Sequence, residues 1–160
     1  MSQPAPPANV YGQIVIGRSP GPSWIDLRPL PENVAAARLH TETVLSDHDE
    51  DHVYTVALVV SELITNAVLA VGPHIPTRIG LGVQHCARYD HIYVQDPVPQ
   101  APVPRDADDT DENGRGLHII EAYAAVLWAD PRRHDKTVHA VMTHPGVVLS
   151  RDEIEQLVAR

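Results

Sequence analysis

The stretch Val59-Val60-Ser61-Glu62-Leu63-Ile64-Thr65-Asn66-Ala67-Val68 decides how this chain is read. It lies inside the run His52–Val71, where Val53, Val56, Ala57, Val60, Ile64, Ala67, Val68 and Val71 recur at i, i+3, i+4, i+7 spacing. That period is the mark of an amphipathic helix, and Gly72-Pro73 stops it. Glu62 and Asn66 stand one turn apart, so they stack on one face. At about 100° per residue that face lies nearly opposite Val60. A carboxylate and an amide therefore project from the side of the helix turned away from its core. Alone, such a pair reads as an ordinary solvated face. It also suits chemistry: an amide oxygen is a hard, neutral ligand for Mg²⁺, and a carboxylate beside it could orient or deprotonate a hydroxyl.

Working outward, a helix is expected N-terminal to this one, opening near Pro31 and Glu32 and carrying Val34, Ala37, Arg38, Thr41, Val44 and Leu45 at helical spacing. The acidic run Asp47–Asp51 separates the two helices and supplies caps. Trp24–Leu27 reads as a short strand, and Tyr11–Ile16 as another. On the C-terminal side, Arg78–Cys86 and His91–Gln95 read as strands of a hairpin with a turn around Ala87–Asp90. The proline-rich, then acidic segment Pro97–Asn113 has little apolar content, the composition of a functional or disordered loop. Gly114–Ala125 resumes helical spacing, Val126–Ala129 and Thr137–Met142 read as strands around the turn Asp130–Asp135, and Ser150 caps a last helix through Val158. Helices mixed with strands joined by short turns imply an α+β two-layer sandwich, with helices on one face of a mainly antiparallel sheet. The division expected is a disordered segment 1–9, a folded domain 10–145 and a helical tail 146–160.

The bulk composition narrows the function. Acidic residues outnumber basic ones, 21 to 12, for a formal charge of -9. That argues against broad nucleic-acid or anionic-membrane binding, which needs Lys and Arg. It leaves room for a small anion held by backbone N–H groups. The single cysteine, Cys86, allows no internal disulfide and fits a reducing compartment. The N-terminus lacks a signal-peptide pattern. Polar Ser61, Glu62, Thr65 and Asn66 interrupt the longest apolar helix, so it is not read as a membrane span. A cytoplasmic location is expected.

Three further pieces accompany the Glu62/Asn66 pair. Asp96 ends a strand before Pro97; a carboxylate there can accept the exocyclic amino group of adenine, where guanine offers a carbonyl. Alone, it reads better as a turn-initiating Asp. Gly114-Arg115-Gly116-Leu117 joins loop to helix, where glycines and free N–H groups let an anion approach and Arg115 adds charge. Lys136-Thr137 opens the last strand, and the Thr137 hydroxyl could reach a base edge directly or through water.

In this order the pieces resemble a known family. "VVSELITNAV" (59–68), "IYVQDPVPQAP" (92–102), "DENGRGLHIIEAYAAVLWAD" (111–130) and "KTVHAVM" (136–142), with the helix "LPENVAAARLHTETVL" (30–45), are similar to the GHKL ATPases. Within them they most resemble the anti-sigma-factor serine kinases and related small ATP-binding regulators of actinobacteria. The resemblance implies a histidine-kinase-like ATPase fold with ATP and Mg²⁺ as cofactors. Asn66 would ligate the metal, Glu62 would be the catalytic base, and Asp96 would bind the adenine amino group. Gly114, Arg115, Gly116 and Leu117 would form the phosphate side, Thr137 would help hold the base, and Pro97–Asn113 would be the lid. It further implies a protein serine/threonine kinase whose partners are a sigma factor and an anti-sigma-factor antagonist; homodimers are common in the resembled family. A non-catalytic ATP-binding interaction module is the alternative. The chain departs from the family where Asp-x-Gly is usual and Asp96-Pro97-Val98 stands instead.

Other polar residues carry no site on this reading. His48 and His52 flank an acidic run that reads as a solvated loop, and His85, His91, His118, His134, His139 and His144 are scattered along the chain. Ser61 and Cys86 read as packing residues, and Trp24 and Trp128 as core or sheet aromatics.

Overall fold

The structure, a computed structural model, describes residues 23–72, 76–100 and 116–160. The strand expected at Tyr11–Ile16, the segment 1–9, residues 101–113 of the loop, Gly114 and Arg115 lie outside the described residues. The elements run β1 (Ser23–Leu27), α1 (Asn33–Val44), α2 (Glu50–Val71), β2 (Ile79–His85), β3 (Tyr89–Asp96), α3 (Gly116–Tyr123), β4 (Val126–Pro131), β5 (Lys136–Thr143) and α4 (Arg151–Val158). The sheet order is β1-β2-β3-β5-β4, and every pairing among the described strands is antiparallel. The expected α+β sandwich is the architecture found.

Local chemistry accounts for the helix ends. The Asp49 carboxylate accepts from the backbone N–H of His52 at 3.1 Å and caps α2, with Glu50 and Asp51 in its first turn. Gly72, at φ 77°, closes the other end by donating its N–H to the Val68 carbonyl. Ser150 and Glu153 form a reciprocal capping box at the start of α4. Arg88 in the β2–β3 turn pairs with Glu153 and donates to the Val148 carbonyl, so α4 is tied to that turn.

The core lies between the helices and one face of the sheet. Val56, Val59, Val60, Leu63, Ile64 and Ala67 of α2 meet Leu81, Val83, Ile92, Val94 and Val138 of the sheet, all buried. Among the described residues α2 alone is long and apolar enough to cross a membrane by length and composition; here its apolar stripe is covered by the sheet.

The opposite face of the sheet carries a row of rings. Trp24 lies opposite Gly82, Gly82 opposite Tyr93, Tyr93 opposite His139, and His139 opposite Trp128. Trp128 and His139 stack at 4.6 Å between centroids, and Trp24 and Tyr93 meet at 5.7 Å. Gly80 and Gly82 explain how the rings fit: a Cβ at Gly80 would fall within the Trp24 indole, and one at Gly82 within the Tyr93 ring. Strand β2 thus buries Ile79, Leu81 and Val83 on one side and gives its backbone to aromatic rings on the other. Gly82→Val should displace Tyr93 and cost about 1–3 kcal/mol, the usual penalty for overpacking. Urea unfolding checks this; an unchanged midpoint would mean that the ring does not rest on β2.

Candidate functional site

Glu62 and Asn66 project from α2 toward the start of α3. A Cβ built on Gly116 would stand 2.6 Å from Glu62 Oε2 and 3.5 Å from Asn66 Oδ1. A side chain at position 116 would therefore push the Glu62 carboxylate aside. Leu117 and Ile120, both buried, anchor α3 from its inner side. The carboxylate and amide of α2 and the glycine at the start of α3, distant in sequence, thus come together. The first N–H groups of a helix have no partners within it, so this end favours an anion. Burial pushes the Glu62 carboxyl up from its usual 4.5. Asn66 Nδ2 is buried with no hydrogen-bond partner among the described residues. An orphaned buried amide is costly and marks a place where a ligand would complete the hydrogen bonding. The chemistry of these residues suits an Mg²⁺-nucleotide: Asn66 carries a neutral hard-oxygen donor, and Glu62 and Asn66 both lie beside the start of α3.

Asp96 sits on the helix-facing side of β3, and its carboxylate is engaged. Lys136 Nζ lies 2.9 Å from Oδ2 and 3.0 Å from Oδ1, and also donates to the Val98 carbonyl at 2.9 Å. The Val98 N–H donates to Asp96 Oδ1 at 2.9 Å, so the side chain also forms the turn through Pro97. Both charged side chains are buried, Asp96 at 2% exposure and Lys136 at 3%. A carboxylate has about four lone-pair positions, so Oδ2 keeps acceptor capacity beyond the ammonium.

Thr137 is not brought to Asp96. It pairs with Gln95, while Asp96 pairs with Lys136. Directly opposed residues share a face, and faces alternate along a strand, so Thr137 points to the ring-bearing side. Lys136 occupies the helix-facing position opposite Asp96. The signal for it was present in the sequence: Val138, Ala140 and Met142 are core residues, and period two carries that face back to position 136. Gly116 and Leu117 are placed at the start of α3; Gly114 and Arg115 lie outside the described residues.

The histidines require a correction. His48 and His52 are not on a solvated loop, and His85 and His144 are not scattered. All four surround Asp90, which is fully buried near the start of β3. His52 Nε2 lies 2.6 Å from Asp90 Oδ2, and His85 Nδ1 lies 2.8 Å from Oδ1. Burial works to raise the Asp90 carboxyl, but the hydrogen bonds from His52 and His85 and the facing His144 and His48 hold it below the ordinary range. Linear spacing hides this cluster because hairpin register and the α2 cap bring its members together. Ser61 donates to the Ala57 carbonyl at 2.9 Å within α2, which accounts for its hydroxyl.

No curated protein matches the sequence closely enough to count as a relative. A family model described as the histidine kinase-like ATPase domain matches residues 27–143, a span running from the end of β1 to the end of β5 and including Glu62, Asn66, Asp96, Gly116 and Thr137. The chain therefore belongs to the histidine kinase-like ATPase family, a domain built to bind ATP.

Proposed function

We propose that this ATP-binding regulatory domain is an anti-sigma-factor-type serine/threonine kinase of a partner-switching system. Its partners would be a sigma factor, held inactive, and an antagonist protein whose hydroxyl is phosphorylated. The observation that supports this reading best is Gly116 seated against Glu62 and Asn66, because it brings a carboxylate, an amide and an anion-favouring helix end together. Asn66 Oδ1 would hold Mg²⁺, which when bound neutralises phosphate charge. Glu62 would orient the incoming hydroxyl and take its proton as the γ-phosphoryl group is transferred. The α3 N-terminus at Gly116 would face the phosphates. Asp96 Oδ2 would accept the adenine amino group with its remaining lone pair, while Lys136 keeps the carboxylate oriented.

A non-catalytic ATP-binding interaction module is the second reading. Two observations favour it: Lys136 already occupies part of the Asp96 carboxylate, and Pro97-Val98 replaces the flexible residue that usually follows such an acid.

Purified protein should bind ATP or ADP in preference to GTP by calorimetry. Asp96→Asn should lose most of that binding, because the amide presents one acceptor in place of a charged pair. Equal affinity for GTP in the wild type would remove Asp96 from the base pocket.

The two readings separate on α2. Asn66→Ala should weaken Mg-ATP binding. Glu62→Gln should keep binding and reduce phosphoryl transfer to the antagonist by roughly 10²–10⁴-fold, the usual scale of general-base loss. Burial raises the Glu62 carboxyl, so its ionised form is penalised by the fold; Glu62→Gln should fold at least as stably as wild type at neutral pH. For the same reason transfer should fall as pH drops through a Glu62 value above the ordinary 4.5. A wild type that binds Mg-ATP but transfers no faster than Glu62→Gln would establish the binding module instead.

A further inference from the structure

Strand β3 ends its buried face at Asp90, where side chains from four other parts of the chain converge. His48 precedes α2, His52 sits in its first turn, His85 ends β2 and His144 follows β5. One nitrogen from each of His48, His85 and His144 and one oxygen of Asp90 all lie within 4.8 Å of one another. We propose that His48, His85, Asp90 and His144 form a transition-metal site, best suited to Zn²⁺, separate from the Glu62–Asn66 pocket.

The hydrogen bonding of the cluster is incomplete in a way that a cation resolves. His85 Nδ1 is 2.8 Å from His48 Nε2 and 2.8 Å from Asp90 Oδ1. A neutral imidazole has one N–H, so it cannot donate in line to both. His48 Nδ1 lies 3.2 Å from the Leu45 carbonyl, which can only accept. The His48 hydrogen therefore sits on Nδ1, leaving the Nε2 lone pair aimed into the cluster. A backbone carbonyl on the far nitrogen is the usual arrangement behind a metal-ligating histidine. His144 Nε2 is buried, stands 3.4 Å from Asp90 Oδ2 and makes no hydrogen bond among the described residues.

The dimensions are close to those of a bound site. Zn–N and Zn–O bonds of about 2.0–2.2 Å place neighbouring tetrahedral ligand atoms roughly 3.3 Å apart. The separations are 2.8 Å for His48–His85, 2.8 Å and 3.9 Å from His85 and His48 to Asp90 Oδ1, and 3.4 Å from His144 to Asp90 Oδ2. Side-chain rotation would have to draw the four ligand atoms, which lie within 4.8 Å of one another, to that spacing. Three imidazoles and one carboxylate form a borderline donor set that suits Zn²⁺ over Mg²⁺ or Ca²⁺, which prefer oxygen. His52 lies outside the set: it donates to Asp90 Oδ2 at 2.6 Å and fixes the carboxylate from behind. The His85 side chain, half exposed, leaves a path from solvent. Four protein ligands leave no open coordination position, which is the character of a structural site. Metal here would clamp the N-terminus of α2, the β2–β3 hairpin and the chain leaving β5.

The test uses tag-free full-length protein, stripped with chelator and titrated with Zn²⁺ in excess Mg²⁺. One equivalent should bind and raise the melting temperature, and Co²⁺ in its place should give the intense d–d absorption of a tetrahedral site. His85→Ala should weaken binding by more than the 10–100-fold typical of losing an outer-shell partner, and His52→Gln should weaken it by about 10–100-fold at unchanged stoichiometry. His139→Ala, in the other histidine pair, and Asn66→Ala should bind zinc like wild type. Substoichiometric zinc binding in the wild type would overturn the proposal and leave a hydrogen-bonded histidine cluster. So would His85→Ala and His144→Ala proteins that both bind as wild type does.

Discussion

Strand β3 buries a carboxylate near each end of one face, and much of the molecule is arranged around satisfying them. Asp90 and Asp96 are six residues apart on the same side of the strand, about 20 Å at strand spacing, with Ile92 and Val94 between them in the core. An isolated ionised carboxylate in such a place is untenable without a partner. Asp96 takes the Lys136 ammonium from the neighbouring strand. Asp90 takes imidazoles from α2, from β2 and from the chain beyond β5. Losing one member of a buried ion pair typically costs about 3–5 kcal/mol, so Lys136 is a structural requirement as well as a neighbour of the proposed nucleotide site.

Helix α2 lies over this strand and serves both ends. His52 is in its first turn, and Asn66 lies fourteen residues on, about 21 Å at helical rise. The apolar stripe between them fixes the helix on the sheet, so the position of Asn66 relative to α3 is set by the same packing that brings His52 to Asp90. A rigid element held on the sheet is a sound base for placing Glu62 and Asn66 against Gly116, because side chains on packed helices are positioned more sharply than those on loops.

How much of this was legible in the sequence depends on the range of each interaction. The α2 stripe, its cap at Asp49 and its stop at Gly72 are local signals and were readable, as were the hairpin and the Ser150 cap. The Glu62/Asn66 face followed from helical period, and period two also pointed Lys136 inward, although a strand-opening Lys looked unremarkable beside Thr137. The seating of Gly116 on Glu62 was not readable, since it depends on how α3 packs on α2. Nor was the histidine cluster: residues 48, 85, 90 and 144 meet through hairpin register, the β3–β5 pairing and the turn before α2. Gly80 and Gly82 break the apolar pattern of β2 for a reason visible only once Trp24 and Tyr93 lie across them.

The claim on which the account rests is that Mg-ATP binds between α2, the start of α3 and the Asp96 end of β3. Backbone amide chemical shifts, followed by NMR as Mg-ATP is added, test it most directly. The account predicts saturable changes concentrated at Glu62, Asn66, Gly116, Asp96 and Lys136, with Asp90 and His85 at the far end of β3 little affected. No saturable change, or changes confined to the ring-bearing face around Trp24, Tyr93 and Trp128, would contradict it.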